Sequence, residues 1–573
     1  MSNAMNHGST QESAGEFDYI VVGAGSAGCA VAARLAETPG VTVALLEAGS
    51  ADHHYSIWTP IGLAKTAARP GPYNYGYYTE PQPGLEGRAS YQPRGKVLGG
   101  SSSINGMVYI RGDRKDYDDW AASGCKGWSF DEVLPYFRRS ENNQRCNGRD
   151  DDPLHGGNGP LYVEELRTPN RFSKAFVEAA TQAGIPPNND FNGPEQEGAG
   201  LYQVTQHRGE RWNSARAYLH RGNVKDLGFN GGRKNLTVLT ETQALQIVFE
   251  DKRAVAVRVV RGGVEQVLRA RREVIVSGGV FNSPQLLLAS GIGPAGQLRE
   301  MGIEVVHDLP GVGENLQDHL DVVLNAQLQT TDLFGASLRG GLRLLSEIMR
   351  YRRDRTGMVS SNFAEAGAFV KSSPELDRPD LNLVFVTALI GNRNMGSRRE
   401  LGHGYSCHAC VLRPKSRGFV RLRAPDMREA PLIDTRLMSD ARDLDSIVTG
   451  IKIVRNVLNQ PALKSLGGRE MLTEQFASEE SLRAFARSHA DCLFHPIGTC
   501  KMGIDDMAVV DPSLRVRGIE GLRVVDASIM PTLIGGNTNA PTVMIGERAA
   551  DLIATARRTA QSTQAGVAAG AVV

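Results

Sequence analysis

The chain has 573 residues, 41% hydrophobic and 22% charged, enough for two or more domains with sizeable cores. With Lys+Arg 64 against Asp+Glu 63 the net charge is +1, which excludes the broad basic field of a nucleic-acid binder. No apolar run approaches the ~18–20 residues of a spanning helix, and no basic, apolar, small-residue export signal opens the chain; a cytoplasmic protein with at most peripheral membrane contact is expected. Residues Ser2, Asn3 and Ala4 before Met5 look like a cloning scar, and 1–15 and 559–573 are expected to be disordered for want of any core pattern.

The rest of the chain is arranged around residues 17–28, FDYIVVGAGSAG. A short β-branched run ends at Gly23, and the residues after Gly28 have helix-forming composition, so strand, tight turn and helix succeed one another. Gly23, Gly25 and Gly28, with Ser26 and Ala27 between them, allow a pyrophosphate to approach the free N–H groups of the helix start. A second apolar run, 41–46, ends at Glu47, 19 residues after Gly28, where a carboxylate accepts the ribose hydroxyls of an adenine dinucleotide. Residues 50–94 are rich in Pro, Gly and Tyr and predict a long loop, with about 70–95 as a lid over the cofactor; they lack the Lys and Arg that single-stranded nucleic acid requires.

Residues 94–106, RGKVLGGSSSING, make a poor helix but a good backbone cradle, a second cofactor contact. A loop at 153–160 precedes an amphipathic helix at 171–183. Strands are predicted at 235–239, 244–249, 254–260 and 272–276, the last running into Ser277, Gly278 and Gly279. The next helix has Ser283 and Pro284 in its first turn and is stopped by Gly291 and Gly293; the dinucleotide fold resumes here, so a large insertion is implied. Beyond 311–319 the character shifts to a basic amphipathic helix at 338–351, strands at 381–388 and 418–422, and helices at 443–458 and 478–488. The basic face of 338–355 is expected to be solvated rather than bound to a membrane. Residues 522–525 form a strand into Asp526, Ala527 and Ser528, and 542–554 a helix. Seven cysteines suit reduced thiols; Cys407 and Cys410 form one CxxC near His403 and His408 but lack a second ligand pair, so no metal is expected.

Two polar groups stand in unusual settings. His495 lies between apolar residues before Pro496, and Asn537 and Asn539 lie in a glycine loop that opens a helix. If the dinucleotide is a flavin, a neutral imidazole can accept the hydroxyl proton of an alcohol while an amide holds the developing alkoxide, roles that suit His495 and Asn539.

The ordered motifs together resemble the glucose–methanol–choline (GMC) flavin oxidoreductases: the Gly23 fingerprint with Glu47, the 95–105 loop, the stretch from Ser283 to Gly293, PGVGENLQDH at 310–319, HPIGT at 495–499, and DAS at 526–528 with 537–547. The resemblance implies an α/β and α+β fold: a Rossmann-like FAD-binding domain with a discontinuous substrate-binding domain on an antiparallel sheet with helices. It places FAD-binding parts at 16–165 and 231–325, a substrate-domain insertion at 166–230, the substrate-binding domain at 326–490, and a return carrying the catalytic residues at 491–558. It implies His495 as base with Asn539 as partner. Cofactor contacts are implied at Ala48, at Arg94, Gly95, Val97, Gly99, Gly100, Ser101, Ser102, Asn105 and Gly106, at Gln243, Ala244, Ser277 and Gly278, at Asp526 and Ala527, and at Asn537, Asn539, Pro541 and Thr542.

Val280, where the family usually has a smaller residue, has no evident consequence. Ile104 stands where some members attach the flavin through a histidine, so dissociable FAD is expected. The pattern is nearest to bacterial choline and alcohol dehydrogenases. Where choline-handling members place a glutamate, this chain has Asp321, without evident cage aromatics near Asn362 and Phe363, which favours an uncharged primary alcohol. The expected activity is oxidation of such an alcohol to an aldehyde, with electrons passed to a quinone or other acceptor. The alternatives are a choline dehydrogenase, an oxidase releasing hydrogen peroxide, and an FAD-containing hydroxynitrile lyase.

Overall fold

The computed structural model of the protein describes residues 13–220, 231–391, 402–471 and 476–570. The apolar run at 18–22 ends a longer strand, Ser13–Val22. It begins inside the stretch expected to be disordered because Ser13 and Gly15 align with Val267 and Leu268 of a neighbouring strand. Residues 1–12, with the proposed cloning scar, lie outside the described residues.

Ser13–Val22 lies between Val43–Leu46 and Val264–Val276, parallel to both. Leu236–Leu239 extends the parallel set on one side and Leu522–Val524 on the other. Arg253–Arg261 and Thr242–Glu250 add an antiparallel flap, completing a seven-stranded sheet. The parallel strands read as unbroken apolar runs because both faces are covered: Ile20, Val21, Val43, Ala44 and Leu45 are wholly buried. Helix Ser26–Leu35 covers one face and is crossed by the last helix, Asn539–Gly570. A Cβ at Gly546 would fall 2.6 Å from the Ala27 carbonyl oxygen, so this glycine permits the close crossing. Glu547, wholly buried, fixes it by accepting from Arg34, Arg139 and the Tyr218 hydroxyl. The last helix continues to Gly570, through most of the tail expected to be disordered. Its alanine-rich turns propagate from a packed start without needing an apolar stripe.

A second seven-stranded sheet is antiparallel throughout: Arg469–Met471, Leu320–Leu328, His403–Val411, Leu381–Val386, Ala364–Val370 and Gly198–Leu201, with Asp491–Cys492 also pairing to Leu320–Leu328. Helices Arg171–Gln182 and Ala441–Leu458 pack on it, and it has an apolar core of its own. Leu320–Leu328 runs whole through this sheet, across the boundary expected at residue 325.

Two local expectations change. The helix expected to open at Ser283 starts at Gly279, so Pro284 is internal and cannot donate to the Val280 carbonyl. Thr499 Oγ1 donates to that carbonyl at 2.6 Å instead, which ties the segment carrying His495 to this helix. The loop at 70–95 carries a small hairpin, Tyr77–Tyr78 against Tyr91–Gln92, and is held from inside by the buried Asn74, whose amide donates to the Tyr91 hydroxyl at 2.9 Å. The basic helix Leu338–Asp354 turns Glu347 and Tyr351 inward, keeps its arginines exposed as expected except the half-buried Arg343, and also exposes Leu338, Leu342, Leu345 and Met349. No helix among the described residues is long and apolar enough to cross a membrane.

Candidate active site

The turn after Ser13–Val22 is shaped by two close backbone approaches. A Cβ at Gly23 would fall 2.3 Å from the Ser277 carbonyl oxygen, and one at Gly100 would fall 2.7 Å from the Gly25 Cα, so both turns are pressed together. Helix Ser26–Leu35 then starts without a side-chain cap, leaving its first N–H groups for a ligand. Glu47 bridges this start: Oε2 accepts from the Ala24 N–H at 3.1 Å and Oε1 from the Gly49 N–H at 2.8 Å. Burial raises its carboxyl to about 7 despite those two donors.

These groups line a cavity of about 360 Å³, within the ~300–1,000 Å³ of small-molecule sites. Gly23, Gly25, Ser26, Ala27, Glu47 and Ala48 lie on its wall. So do Arg94, Gly95, Gly100, Ser101, Asn105 and Gly106 of the cradle. Gln243, Ala244, Ser277, Gly278, Asp526 and Ala527 join from the strand ends, and Asn537, Asn539, Thr542 and His495 from the C-terminal region. Five expected contacts stand behind the wall instead. Gly28 lets the helix close on the turn, since a Cβ there would fall 1.9 Å from the Gly23 carbonyl oxygen. Val97 is wholly buried, the Gly99 N–H donates to the Ala24 carbonyl at 2.8 Å, and Ser102 Oγ donates to the Gly99 carbonyl at 2.6 Å. Pro541 is held in the first turn of Asn539–Gly570.

The cavity fits a dinucleotide on its own geometry. Gly25 and Gly106 have no close neighbour where a Cβ would be, the nearest atom lying 4.0 Å away at Gly25, so a side chain at either would take ligand space. Arg94, on the wall, is half-buried; its Nη2 donates to the Phe494 carbonyl at 2.9 Å and its buried Nε has no protein acceptor among the described residues. Residues missed from sequence are the apolar and aromatic lining, Tyr75, Val108, Phe281, Leu493 and Phe494, which no local motif marks.

His495 is set by its neighbours. Phe494 takes φ 66°, a left-handed conformation unusual for an aromatic residue, and the His495 N–H donates to Asp318 Oδ1 at 2.7 Å. The Asp318 carboxyl, raised to about 7 by burial, also accepts from the His319 N–H at 2.8 Å. The rings of His319 and His495 meet Nδ1 to Nδ1 at 3.0 Å, and His319 Nε2 lies 3.1 Å from the Ile534 carbonyl oxygen. A carbonyl only accepts, so His319 carries its proton on Nε2 and donates there. Burial holds His319 down at about 3, so it is neutral and its Nδ1 is a lone pair. His495 must therefore donate from Nδ1. Burial first, then His319 and Arg94, push its own pKa well below the ordinary value, so Nε2 of the neutral ring is a proton acceptor at pH 7.

The partner at Nε2 differs from the one expected. Asn537 Nδ2 faces it at 3.0 Å, whereas Asn539 Oδ1 accepts from Ser26 Oγ at 2.7 Å. Asn539 is the first residue of the last helix and is carried with it onto the glycine turn; Asn537, still in the loop, reaches the imidazole. A hydroxyl placed between His495 and Asn537 would donate to the first and accept from the second.

Asp321 is committed elsewhere. It is buried on Leu320–Leu328, and its Oδ2 lies 2.7 Å from His408 Nδ1. Cys407 and Cys410, three apart on one strand, project to opposite faces and are free, buried thiols.

Comparison with known proteins gives one consistent result. The family model described as GMC oxidoreductase matches residues 17–321 with its N-terminal part and 414–546 with its C-terminal part. An alcohol dehydrogenase [acceptor] of Pseudomonas putida is 45% identical over 540 residues, covering 94% of this chain and 95% of that protein. An oxygen-dependent choline dehydrogenase of Pseudomonas fluorescens is 43% identical over 546 residues, 94% of each. The crystal structure of pyridoxine 4-oxidase from Mesorbium loti superposes with a TM-score of 0.81 at 30% identity, covering 93% of this chain and 98% of that one.

Proposed function

The chain belongs to the GMC oxidoreductase family, and from that premise we propose that it oxidises an uncharged primary alcohol to the aldehyde, with His495 as general base and Asn537 as the donor that steadies the alkoxide. The observation that carries this reading is a single cavity walled by both a dinucleotide-binding turn and a neutral imidazole whose Nε2 can take a proton. Glu47 would hold the adenine ribose and the residues opening Ser26–Leu35 the pyrophosphate. FAD, when bound, supplies the two-electron acceptor for the carbinol hydride. The hydroxyl proton passes to His495 Nε2, and the resulting imidazolium keeps its Nδ1–H on the His319 lone pair. The Asn537 amide then donates to the oxygen as charge develops on it, which is where a fixed donor in a dry site acts most strongly.

Choline is disfavoured because Asp321, the acid expected to meet a quaternary ammonium, is not on the cavity wall and turns Oδ2 to His408 Nδ1. A quinone or other carrier is the proposed acceptor, with dioxygen as its rival. The test is anaerobic mixing with a panel of primary alcohols and choline, then dye-coupled and aerobic turnover. Uncharged alcohols should bleach the flavin faster than choline does. Peroxide released in air as fast as dye is reduced would make the protein an oxidase; no bleaching, with cyanide released from a cyanohydrin, would make it a lyase.

The attachment of the cofactor is testable separately. Ile104 lines the cavity with an apolar side chain that cannot form a bond to the isoalloxazine. Acid precipitation should therefore leave the yellow colour in the supernatant; colour in the pellet would refute non-covalent binding.

A further inference from the structure

The helix Leu338–Asp354 is apolar on two sides: Leu344 and Ile348 are half-buried on the side that packs on the protein, and a second apolar row faces outward. Its inward side presents Glu347, which accepts from the Met358 N–H at 2.9 Å, and Tyr351, whose hydroxyl donates to the Gly209 carbonyl at 3.0 Å. Its outward side presents Leu338, Leu342, Leu345 and Met349, exposed by 85, 64, 63 and 65%. At 100° per residue these four fall within an arc of roughly 60° and form a ridge about 17 Å long. Isolated exposed apolar side chains need no explanation, but four in line on one helix do.

The charges beside the ridge are of one sign. Between residues 338 and 355 stand Arg339, Arg343, Arg350, Arg352, Arg353 and Arg355 against only Glu347 and Asp354, and Glu347 is turned inward. Asp332, Asp354 and Glu210 pair with Arg343, Arg353 and Arg355, while Arg339, Arg350 and Arg352 have no carboxylate partner among the described residues. Arg352 and Arg353 flank the ridge directly.

We propose that this helix docks the protein on an anionic phospholipid surface, with the Leu338, Leu342, Leu345 and Met349 ridge entering the acyl boundary and the arginines meeting the phosphates. A helix of this layout lies in the plane of the interface, held by apolar burial and by each arginine near the surface. Charge complementarity selects lipid over a second copy. In a two-fold contact the same face meets itself, so the ridge would pair only by bringing both sets of arginines together. The segment after the helix joins it to the cavity wall: Ser360 accepts from Gln206 at 3.3 Å through its carbonyl, and Asn362 Nδ2 donates to the Gly106 carbonyl at 2.8 Å. Docking would thus hold the Gly106 side of the cavity near the membrane, where apolar alcohols and lipid-soluble acceptors partition; the docking itself does not depend on the reaction.

The experiment is co-sedimentation of the FAD-loaded protein with vesicles of phosphatidylcholine alone and of equal parts phosphatidylcholine and phosphatidylglycerol. Binding is expected to the mixed vesicles and to weaken as salt shortens the Debye length. Leu342→Glu combined with Leu345→Glu should lower partition by at least about tenfold, with FAD content and turnover of a soluble dye unchanged. Arg352→Glu with Arg353→Glu should weaken binding and flatten its salt dependence, while Val264→Glu, an exposed site on another element, should change nothing. Failure to bind anionic vesicles, or binding insensitive to the helix substitutions, would overturn the proposal. So would a dimer in light scattering that the leucine substitutions dissolve, since a second copy would then cover the ridge.

Discussion

His495→Ala is expected to retain FAD and fold yet lose alcohol-dependent flavin reduction by about 10²- to 10⁴-fold, the usual contribution of a positioned general base. Flavin absorbance after gel filtration checks retention, and anaerobic stopped-flow mixing with alcohol checks the rate; bleaching at the parent rate would remove His495 from its role. The pH profile carries a second check. Because burial holds the imidazole neutral to well below its ordinary pKa, the His495 ionisation should be absent from kcat/KM near neutrality and enter only at distinctly acid pH as Nε2 protonates; an inflection near 7 would belong to Asp318, which accepts from the His495 N–H. His319 acts through His495 and is a positioning residue: its Nδ1 lone pair holds the His495 proton on Nδ1 and leaves Nε2 free to accept. His319→Leu should cost about tenfold or more, since losing a tautomer lock on an imidazole base can cost up to ~10⁴-fold. His319→Gln keeps an acceptor and should recover part of the loss, whereas a merely structural role would not distinguish the two variants by charge-neutral acceptor alone.

The largest stability effect is expected at Glu141. Its carboxylate, wholly buried, makes a buried ion pair with Arg111 and lies 3.1 Å from His155 Nδ1, and His155 Nε2 lies 2.9 Å from Asp190. The cluster adjoins the cavity wall in sequence: Arg111 Nε donates to the Tyr109 hydroxyl at 3.4 Å, and Met107 and Val108 just before it line the cavity. Glu141→Ala strands the buried Arg111 guanidinium and should cost about 3–5 kcal/mol, read as a drop in thermal unfolding monitored by flavin fluorescence. A change below about 1 kcal/mol would mean that water reaches the cluster. For His155, burial favours the neutral ring, but bonds to Asp190 and Glu141 win and raise it to about 9. A pKa raised on folding stabilises fully below the unfolded value near 6.5 and is lost as pH climbs through about 9. Stability should thus decline across that window with a slope of at most about 1.4 kcal/mol per pH unit, and His155→Gln should flatten it.

The residues that could be read in advance share a property: their meaning is local. The glycine turn, Glu47 at the end of the second strand and the cradle at 94–106 are fixed by spacing and by what a short stretch of backbone can do. The cavity gathers these stretches as the motifs imply. What escaped was set by distant neighbours. Choosing between Asn537 and Asn539 required knowing where the last helix begins and that Ser26 would claim the second amide. His319 meets a histidine 176 positions away, and nothing in the run LQDH announces that its Nδ1 would be a bare lone pair.

The helix at 338–354 shows the same division. Its periodicity and basic charge are plain in the sequence, but periodicity says only that Leu338, Leu342 and Leu345 share one face and Leu344 and Ile348 another, and which face meets protein is decided by Glu347 and Tyr351 finding partners at Met358 and Gly209. By itself, then, the sequence determined the dinucleotide turn, the two kinds of sheet and the presence of a histidine suited to proton transfer, because these arise from neighbours along the chain. Tertiary structure alone decided which nitrogen of that histidine is basic, which asparagine stands beside it and which way the leucines point, because each is settled by a hydrogen bond between residues the chain does not place together.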